Sequence, residues 1–372
     1  MPGKTSLNPP SDLIQTQPNG KKLLAVQTQD MVALQVYVEA ATRVPTTNEE
    51  LKEKTTVDDD FSEFASMLNA NKNVKAHCVT FRDVTFPESV SCASDIYNYG
   101  KKAPIFMGAV QKIYDKYDEN PEKYKKEVEQ VMDNLIKDAT KYGEKATAVK
   151  NKFHQFSKET EDDRSILKPI HEGFLQKLND HAIEDLNKQI ENAQSDLKKY
   201  QAEYDYDVTV AATTPTYAWL GPIGFICAAA VAGTYGQRAT DALNSVKRCE
   251  KEIERLSSDL KKAIKLRREI SIVDGSLNDI LGKINSAITA LNKIEGAWGA
   301  IADDIGNIRD KLKEDILDVP PFIASLGIEE AITNWTTVAQ MANEYRQSAY
   351  TKEVSIEEIQ KNPDKYKVPT RA

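Results

Sequence analysis

The sequence predicts an all-α protein, an elongated antiparallel bundle of about five helices that carries a small hydrophobic hairpin at one end. Apolar residues recur three or four positions apart through two long stretches of the chain, which is the pattern of packed helices. The aromatic content is 8%, and 28% of the 372 residues are charged, a composition that favours long helices over several globular cores. A long segment without any charge separates the two stretches.

The first part of the chain predicts a succession of helices. Leu23 to Arg43 has an amphipathic pattern, and this helix is expected to end near Val44-Pro45 because the residue before a proline is disfavoured in a helix. Residues 71–92 mix Val, Thr, Phe and Cys, which predicts an irregular connection with a short strand. A long helix is then expected to begin near Ser94 or Pro104.

This long helix is expected to restart at two prolines. Asn120-Pro121-Glu122 offers a helix cap, a first-turn proline and a charge that suits the helix dipole. A second restart is expected after Lys168-Pro169, from which apolar residues continue at helical spacing to Tyr204.

The second long helix has the clearer apolar stripe. From Arg238 to Glu314 most apolar residues are three or four positions apart, and Asp318-Val-Pro-Pro321 is expected to stop the helix. A last helix is expected from Ile328 to Tyr350. Two long helices joined by one short connection must lie antiparallel if their stripes are to bury each other.

These elements predict a division of the chain into parts. The first residues are rich in Pro, Ser, Asn and Gln, a composition typical of disorder. The expected parts are a disordered lead (1–20), a tail helical bundle (21–204 and 240–352), a head hairpin (205–239) and a loosely held C-terminal tail (353–372).

The charge balance narrows the classes of partner. A net charge of -8 argues against nucleic acid, whose phosphates need a basic surface, and against electrostatic adhesion to anionic lipid. The N-terminal residues contain no apolar run of the length that a signal peptide needs. Any secretion is therefore expected to proceed without a conventional signal peptide.

The stretch from Val208 to Gln237, called the apolar segment below, holds no charged residue. This segment is compatible with three structures: a buried loop-helix that caps the bundle, a transmembrane helix over Thr216 to Tyr235, and a hairpin that turns at Gly221-Pro222. The hairpin is favoured because Gly-Pro interrupts the span. A spanning helix would also place the two long helices on opposite sides of a membrane.

Each arm of the expected hairpin has its own character. Val208 to Leu220 suits a strand or a helix, whereas Ile223 to Gln237 is alanine-rich and is expected to be helical. The residues expected to enter a membrane are Val208, Val210, Tyr217, Trp219, Leu220, Ile223, Phe225, Ile226, Val231 and Tyr235. The residues expected to form hinges or turns are Pro215, Gly221, Pro222, Gly224, Gly233 and Gly236. So much apolar surface would cause aggregation if exposed. We therefore expect the monomer to bury the hairpin against itself or its own bundle, and a switch is then required to release it.

The remaining motifs predict no catalytic or metal site. The four cysteines form no CxxC, the four histidines show no HxxxH spacing, and no nucleophile–base pairing or phosphate loop stands out. We therefore expect no metal, no cofactor and no enzymatic activity. A Cys78–Cys92 disulfide remains open if the protein acts outside the cell.

Several segments together resemble one protein family. They are MVALQVYVEAATRVPTTNEELKE (31–53), DFSEF (60–64), SDIYNYGKKA (94–103), WLGPIGF (219–225), EGAWGAIADDIGNIRD (295–310) and VAQMANEYRQSAY (338–350). In this order around one apolar hairpin, they resemble the cytolysin A-type α-helical pore-forming toxins, in the branch of the xenorhabdolysin A subunit and the related nematicidal crystal toxin. The resemblance spans most of residues 21–352.

The resemblance implies a function. It implies a secreted, soluble monomer that binds a target-cell lipid membrane, inserts its hairpin and assembles into a ring, with a second toxin subunit as partner. It also implies the absence of a conventional catalytic site. The alternative is a non-toxic coiled-coil scaffold or adaptor that uses the apolar segment for dimerisation.

Overall fold

The structure, a computed structural model, is predominantly helical. It describes residues 6–16, 20, 22–55, 61–116, 119–177, 216–219, 228–229, 251, 254–255, 257–314, 326–350 and 352–355. The α-helices are α1 (Gln29–Ala41), α2 (Asn48–Thr55), α3 (Ala65–Thr80), α4 (Phe86–Tyr114), α5 (Pro121–Lys177), α6 (Ser258–Glu314) and α7 (Ile328–Ser348). The strands are β1 (Ile14–Thr16), β2 (Lys22–Leu24), β3 (Thr216–Trp219), β4 (Ala228–Ala229) and β5 (Lys352–Ser355). The predicted all-α bundle is confirmed.

The chain divides into two compact units. The first unit comprises Met1–Thr28, Thr85–His154 and Ser286–Gln347, and the second comprises Gln29–Val84, Gln155–Asn285 and Ser348–Ala372. Each unit has its own buried apolar residues.

The first unit is an antiparallel helical bundle. The ion pairs between α4 and α5 are Lys102–Asp138, Asp95–Lys145 and Glu88–Lys152. The contacts between α5 and α6 are Asp133–Arg309, Tyr142–Trp298 and Thr147–Glu295. In both series the position rises along one helix as it falls along the other. The antiparallel arrangement predicted for the long helices is thus present in this unit.

An aromatic cluster lies in the core of the first unit. Tyr99, Trp298 and Trp335 are each at most 1% exposed. The ring centroid of Tyr99 lies 5.2 Å from that of Trp298 and 4.9 Å from that of Trp335, distances at which aromatic pairs add to the energy of apolar burial. One side chain each from α4, α6 and α7 therefore meets here.

The lead predicted to be disordered is partly ordered. Residues 6–16 contain a 3₁₀-helix, Ser11–Leu13, and β1, which pairs antiparallel with β2. Leu7 and Leu13 are buried, and the Leu7 carbonyl oxygen accepts a hydrogen bond from the Trp335 indole at 2.8 Å. Apolar anchors thus order a segment whose composition suggested otherwise. The predicted helix starts later than Leu23, because β2 precedes α1.

Residues 71–92, predicted to be an irregular connection, are helical. α3 passes through a π-helix, Phe81–Thr85, directly into α4, so the helix begins before the predicted start at Ser94 or Pro104. The buried positions recur every three or four residues but include the polar side chains of Asn71 and Ser89. Because these two buried positions are polar, the apolar periodicity of a helix could not be recognised in the sequence. In the structure, packing of the buried face overrides the strand preference of Val, Thr and Phe.

The prolines act differently from expectation. α5 begins at Pro121, as predicted, but continues without a break through Pro169, and α4 likewise contains Pro104. The sequence analysis also missed α2. The Thr47 hydroxyl accepts the backbone N–H of Glu50, and the Glu50 carboxylate accepts the N–H of Thr46, an arrangement close to a capping box.

The Cys78–Cys92 disulfide is not formed. Both thiols are buried and free. The two residues are separated by fourteen positions of continuous helical backbone. At about 1.5 Å per residue this places them roughly 20 Å apart, whereas the Cα atoms of a disulfide lie within about 7 Å. Cys227 and Cys249 lie outside the described residues.

The second unit has a separate apolar cluster. The ring centroids of Phe64 and Phe174 lie 4.4 Å apart in a stacked arrangement, which joins a 3₁₀-helix directly before α3, Ser62–Phe64, to the end of the described part of α5. The buried members of the cluster are Leu51, Phe61, Phe64, Met67, Leu68, Phe174 and Leu266. Leu266 shows that α6 contributes to this core as well as to that of the first unit.

Candidate membrane-interaction hairpin

Two strands of the second unit lie within the apolar segment. β3 and β4 pair antiparallel, with Tyr217 opposite Ala229 and Ala218 opposite Ala228. The chain therefore reverses direction between Trp219 and Ala228, as a hairpin requires. The helical conformation expected for the second arm is wrong at Ala228–Ala229, because these residues hydrogen-bond to a neighbouring strand.

The described strands include only part of the predicted site. Tyr217 and Trp219 both lie in β3, two positions apart, so they share one face of the strand. The other residues predicted to enter a membrane lie outside the described residues: Val208, Val210, Leu220, Ile223, Phe225, Ile226, Val231 and Tyr235. So do the predicted hinge and turn residues Pro215, Gly221, Pro222, Gly224, Gly233 and Gly236.

A third strand comes from a distant part of the sequence. β5 pairs parallel with β3 in a register that runs from Thr216 opposite Lys352 to Trp219 opposite Ser355. The strand order is therefore β4-β3-β5, with β3 in the centre. The tail predicted to be loosely held from residue 353 is thus a strand up to Ser355. The only local signal was Val354, since Lys, Glu and Ser disfavour or do not predict a strand.

The approach to β5 is anchored on α1. Ala349 is buried, and its carbonyl oxygen accepts a hydrogen bond from the side-chain amide of Gln35 at 2.9 Å. The same amide contacts the carbonyl oxygen of Met31 in α1, and Gln35 is only 8% exposed. A buried polar side chain thus fixes the chain three residues before β5 begins.

A buried polar cluster lies in the same unit. Nδ1 of His77 lies 2.8 Å from Oδ2 of Asp163, and Tyr37 and Cys78 adjoin this pair. Burial raises the pKa of Asp163, and the hydrogen bond from His77 partly offsets that rise. Burial also raises the pKa of the Cys78 thiol and the Tyr37 phenol. Both groups are therefore neutral at physiological pH, and a neutral buried thiol is a poor nucleophile.

The described residues contain neither a membrane-spanning helix nor a metal-binding cluster. None of the helices in the described part of the chain combines the length and apolarity needed to cross a membrane. Within the same residues, no group of three or more His, Cys, Asp or Glu side chains is placed to hold a metal ion.

Comparison with known proteins identifies the fold. No family model matches the chain. A curated relative, the pesticidal crystal protein Cry6Ba of Bacillus thuringiensis, is 23% identical over 381 residues, covering 88% of this chain and 89% of its own length. Among the solved structures, the HblL1 toxin component of Bacillus cereus is similar with a TM-score of 0.58 and 13% identity, covering 94% of this chain and 100% of its own.

A further solved structure extends the comparison. Soluble SmhA of the tripartite α-pore-forming toxin Smh from Serratia marcescens matches with a TM-score of 0.54 and 12% identity, covering 89% of this chain and 98% of its own. The chain therefore has the fold of α-pore-forming toxin components, and the fold that the sequence resemblance implied is confirmed. The two solved structures are named as toxin components and the curated relative as a pesticidal protein, which agrees with the expectation that the chain is not an enzyme.

Proposed function

We propose that this chain is a subunit of an α-pore-forming toxin that binds a target membrane, inserts its apolar segment and oligomerises into a pore with a partner subunit. The observation that carries the proposal is the antiparallel pair β3–β4 within thirty uncharged residues, Val208 to Gln237, of a chain that is 28% charged. The similarity of the fold to α-pore-forming toxin components supports membrane insertion as the function of the β3–β4 pair.

The driving force for insertion is apolar transfer. The net charge of -8 provides no general attraction to anionic lipid, so affinity must come from apolar surface at about 25 cal/mol per Å² removed from water. Trp219 and Tyr217 suit the membrane interface, because each has an apolar ring body and a polar tip.

The backbone of the apolar segment must gain new hydrogen-bond partners during insertion. A small open sheet cannot satisfy its edge N–H and C=O groups in hydrocarbon, so the segment must become helical or pair with other subunits. Each arm as a helix covers about 20 Å, which is less than the bilayer core of about 30 Å. Flanking residues are therefore recruited into the inserted form.

The partner and location belong to the same proposal. SmhA belongs to a tripartite toxin, which supports assembly of this chain with at least one other subunit into a ring. The chain acts after secretion, as a soluble monomer that becomes associated with the target-cell membrane. Within the chain, the proposed parts are a tail helical bundle (21–204 and 240–352) and a head hairpin (205–239) that enters the membrane.

The test is release of dye trapped in phosphatidylcholine vesicles, with flotation of the protein on the same vesicles as a second readout. The wild-type protein, alone or with its partner subunit, is expected to float and to release dye. Leu220→Asp and Ile226→Asp are expected to abolish both, because a charge in the inserted segment is costly. The matched control is Ile105→Asp, since Ile105 is 72% exposed on α4 and tolerates a charge.

Three outcomes would count against the proposal. The hairpin is not the inserted element if both variants permeabilise normally, or if Ile105→Asp loses as much activity as Ile226→Asp. A stable oligomer in lipid-free buffer that ignores vesicles, and that Ile226→Asp dissociates, would instead favour a scaffold that dimerises through the apolar segment.

A further inference from the structure

The central strand of the small sheet has two different neighbours. One edge of β3 is paired with β4, which belongs to the same apolar segment, and the other edge is paired with β5. β5 has the sequence Lys-Glu-Val-Ser, in which charged and polar residues predominate. Such a strand blocks the edge of an apolar strand that would otherwise be open to pairing with another chain.

We infer that β5 is an autoinhibitory clasp, which holds β3 in the pre-insertion conformation and must detach before the apolar segment enters a membrane. The inference rests on the proposed function, because it concerns the regulation of the same hairpin. Its basis is the parallel β3–β5 pairing together with the anchor of Ala349 on Gln35.

The anchor makes the pairing restrictive. Only residues 350 and 351 separate Ala349 from β5, and Ala349 is tied through Gln35 to α1. β5 therefore cannot travel far with β3 while this hydrogen bond persists. For β3 to leave the sheet and enter lipid, its hydrogen bonds to β5 must break.

The pairing is also suited to breaking. β3 and β5 are separated in the sequence by positions 220 to 351, so the contact between them is non-local. Parallel pairing is slightly less stable per residue than antiparallel pairing, and the paired region spans only four residues. A pairing of this size can hold β3 in the resting state and can still break when the apolar segment enters a membrane.

The first test compares two truncations of the full chain. Deletion of 352–372 removes β5, whereas deletion of 357–372 retains it and controls for loss of the remaining tail. The shorter protein is expected to release dye from phosphatidylcholine vesicles several-fold faster than both the control and the full chain. Val354→Pro in the full chain should act in the same direction, because proline disrupts strand pairing.

The second test locks the clasp. Ala218 and Val354 are partners in the register, and facing positions on paired strands are close enough for a disulfide. Ala218→Cys/Val354→Cys, in a Cys227→Ser background that removes the thiol of the apolar segment, is expected to be inactive when oxidised and active when reduced. Each single cysteine variant, treated with the same oxidant, should stay active.

A readout without membranes separates this inference from the proposed function. Hydrogen exchange at the amides of 216–219 is expected to be faster after deletion of 352–372 than after deletion of 357–372. Faster exchange with no permeabilisation by any variant would keep the contact but overturn both its inhibitory role and the proposed function. A permeabilising full chain whose truncation, proline and locked variants all match it would overturn the clasp alone.

Discussion

Nδ1 of His77 lies 2.8 Å from Oδ2 of Asp163, which joins α3 to α5 through a carboxylate that is only 6% exposed. Burial raises the pKa of Asp163, and His77 lowers it by a smaller amount. The groups that face this carboxylate or lie near it are His77, Tyr37, Cys78, Glu159 and Asp162. The pair is therefore a point at which pH acts on the second unit.

Asp163→Asn should remove one pH-dependent contribution to stability. A raised folded pKa gives stability that is fully present below the unfolded value, about 3.9, and is lost as pH rises through the folded value. The variant cannot titrate, so the melting temperature of the variant minus that of the wild type is expected to increase as pH rises from about 3.5 to 6. Thermal unfolding followed by circular dichroism measures this difference.

The control for this prediction is Glu161→Gln on the exposed face of the same helix, which should give no comparable rise. A difference for Asp163→Asn that is flat, or that falls with pH, would show that the ion pair with His77 outweighs the cost of burial.

Glu295 predicts the opposite pH dependence. Lys150 and then Thr147 hydrogen-bond to its carboxylate and lower its pKa, and its side chain is 29% exposed. This contribution is present above the unfolded pKa and is lost as pH falls through the lowered folded value. Glu295→Gln should therefore cost about 1 kcal/mol at pH 7 and progressively less in acid, as measured by urea unfolding. An equal loss of stability at pH 7 and in acid would show that the charge of Glu295 is not the source of the loss.

The regular apolar stripes could be predicted from the sequence because their periodicity has one physical cause. Ile284, Leu291 and Ile294 are fully buried, and the expected end of α7 close to Tyr350 agrees with the structure to within two residues. The helical passage from α3 to α4 was missed, because Asn71 and Ser89 occupy buried positions. The amide of Asn71 is accommodated by the Pro45 carbonyl oxygen, a partner that no local pattern reveals.

The candidate site was also predictable only in part, because one of its strands is held by a contact with a distant part of the sequence. The absence of charge between Asp207 and Arg238 identified the segment, and the antiparallel pairing of β3 with β4 agrees with a hairpin. β5 could not be predicted, because it pairs with a strand more than a hundred positions away and has little strand propensity of its own. Non-local pairing depends on the tertiary fold.

Gly100 should be intolerant of a single added methyl group. A Cβ at this position would lie 2.9 Å from Cβ of Ala339 and 3.0 Å from the backbone oxygen of Trp335, so α4 and α7 would have to separate. Gly100→Ala is therefore expected to destabilise by about 1–3 kcal/mol, although alanine is the better helix former.

The matched control is Gly108→Ala on the same helix, where a Cβ meets nothing within 4 Å. This variant should gain about 0.5–1 kcal/mol from helix propensity. Chemical unfolding measures the change in the free energy of unfolding for each variant. If Gly100→Ala stabilises the protein as Gly108→Ala does, α4 and α7 adjust to the added methyl group without cost.

Trp335→Phe and Trp298→Phe should differ although both indoles are buried in one cluster. Nε1 of Trp335 donates a hydrogen bond to the Leu7 carbonyl oxygen, whereas Nε1 of Trp298 is buried without a hydrogen-bond partner among the residues that the structure describes. Both substitutions remove similar volume, so the difference between them isolates the hydrogen bond. We expect Trp335→Phe to cost about 1–2 kcal/mol more, because it also leaves the Leu7 carbonyl unpaired. Hydrogen exchange of residues 6–13 should accelerate in Trp335→Phe alone, and equal acceleration in both variants would mean that aromatic packing, not this bond, holds the N-terminal segment in place.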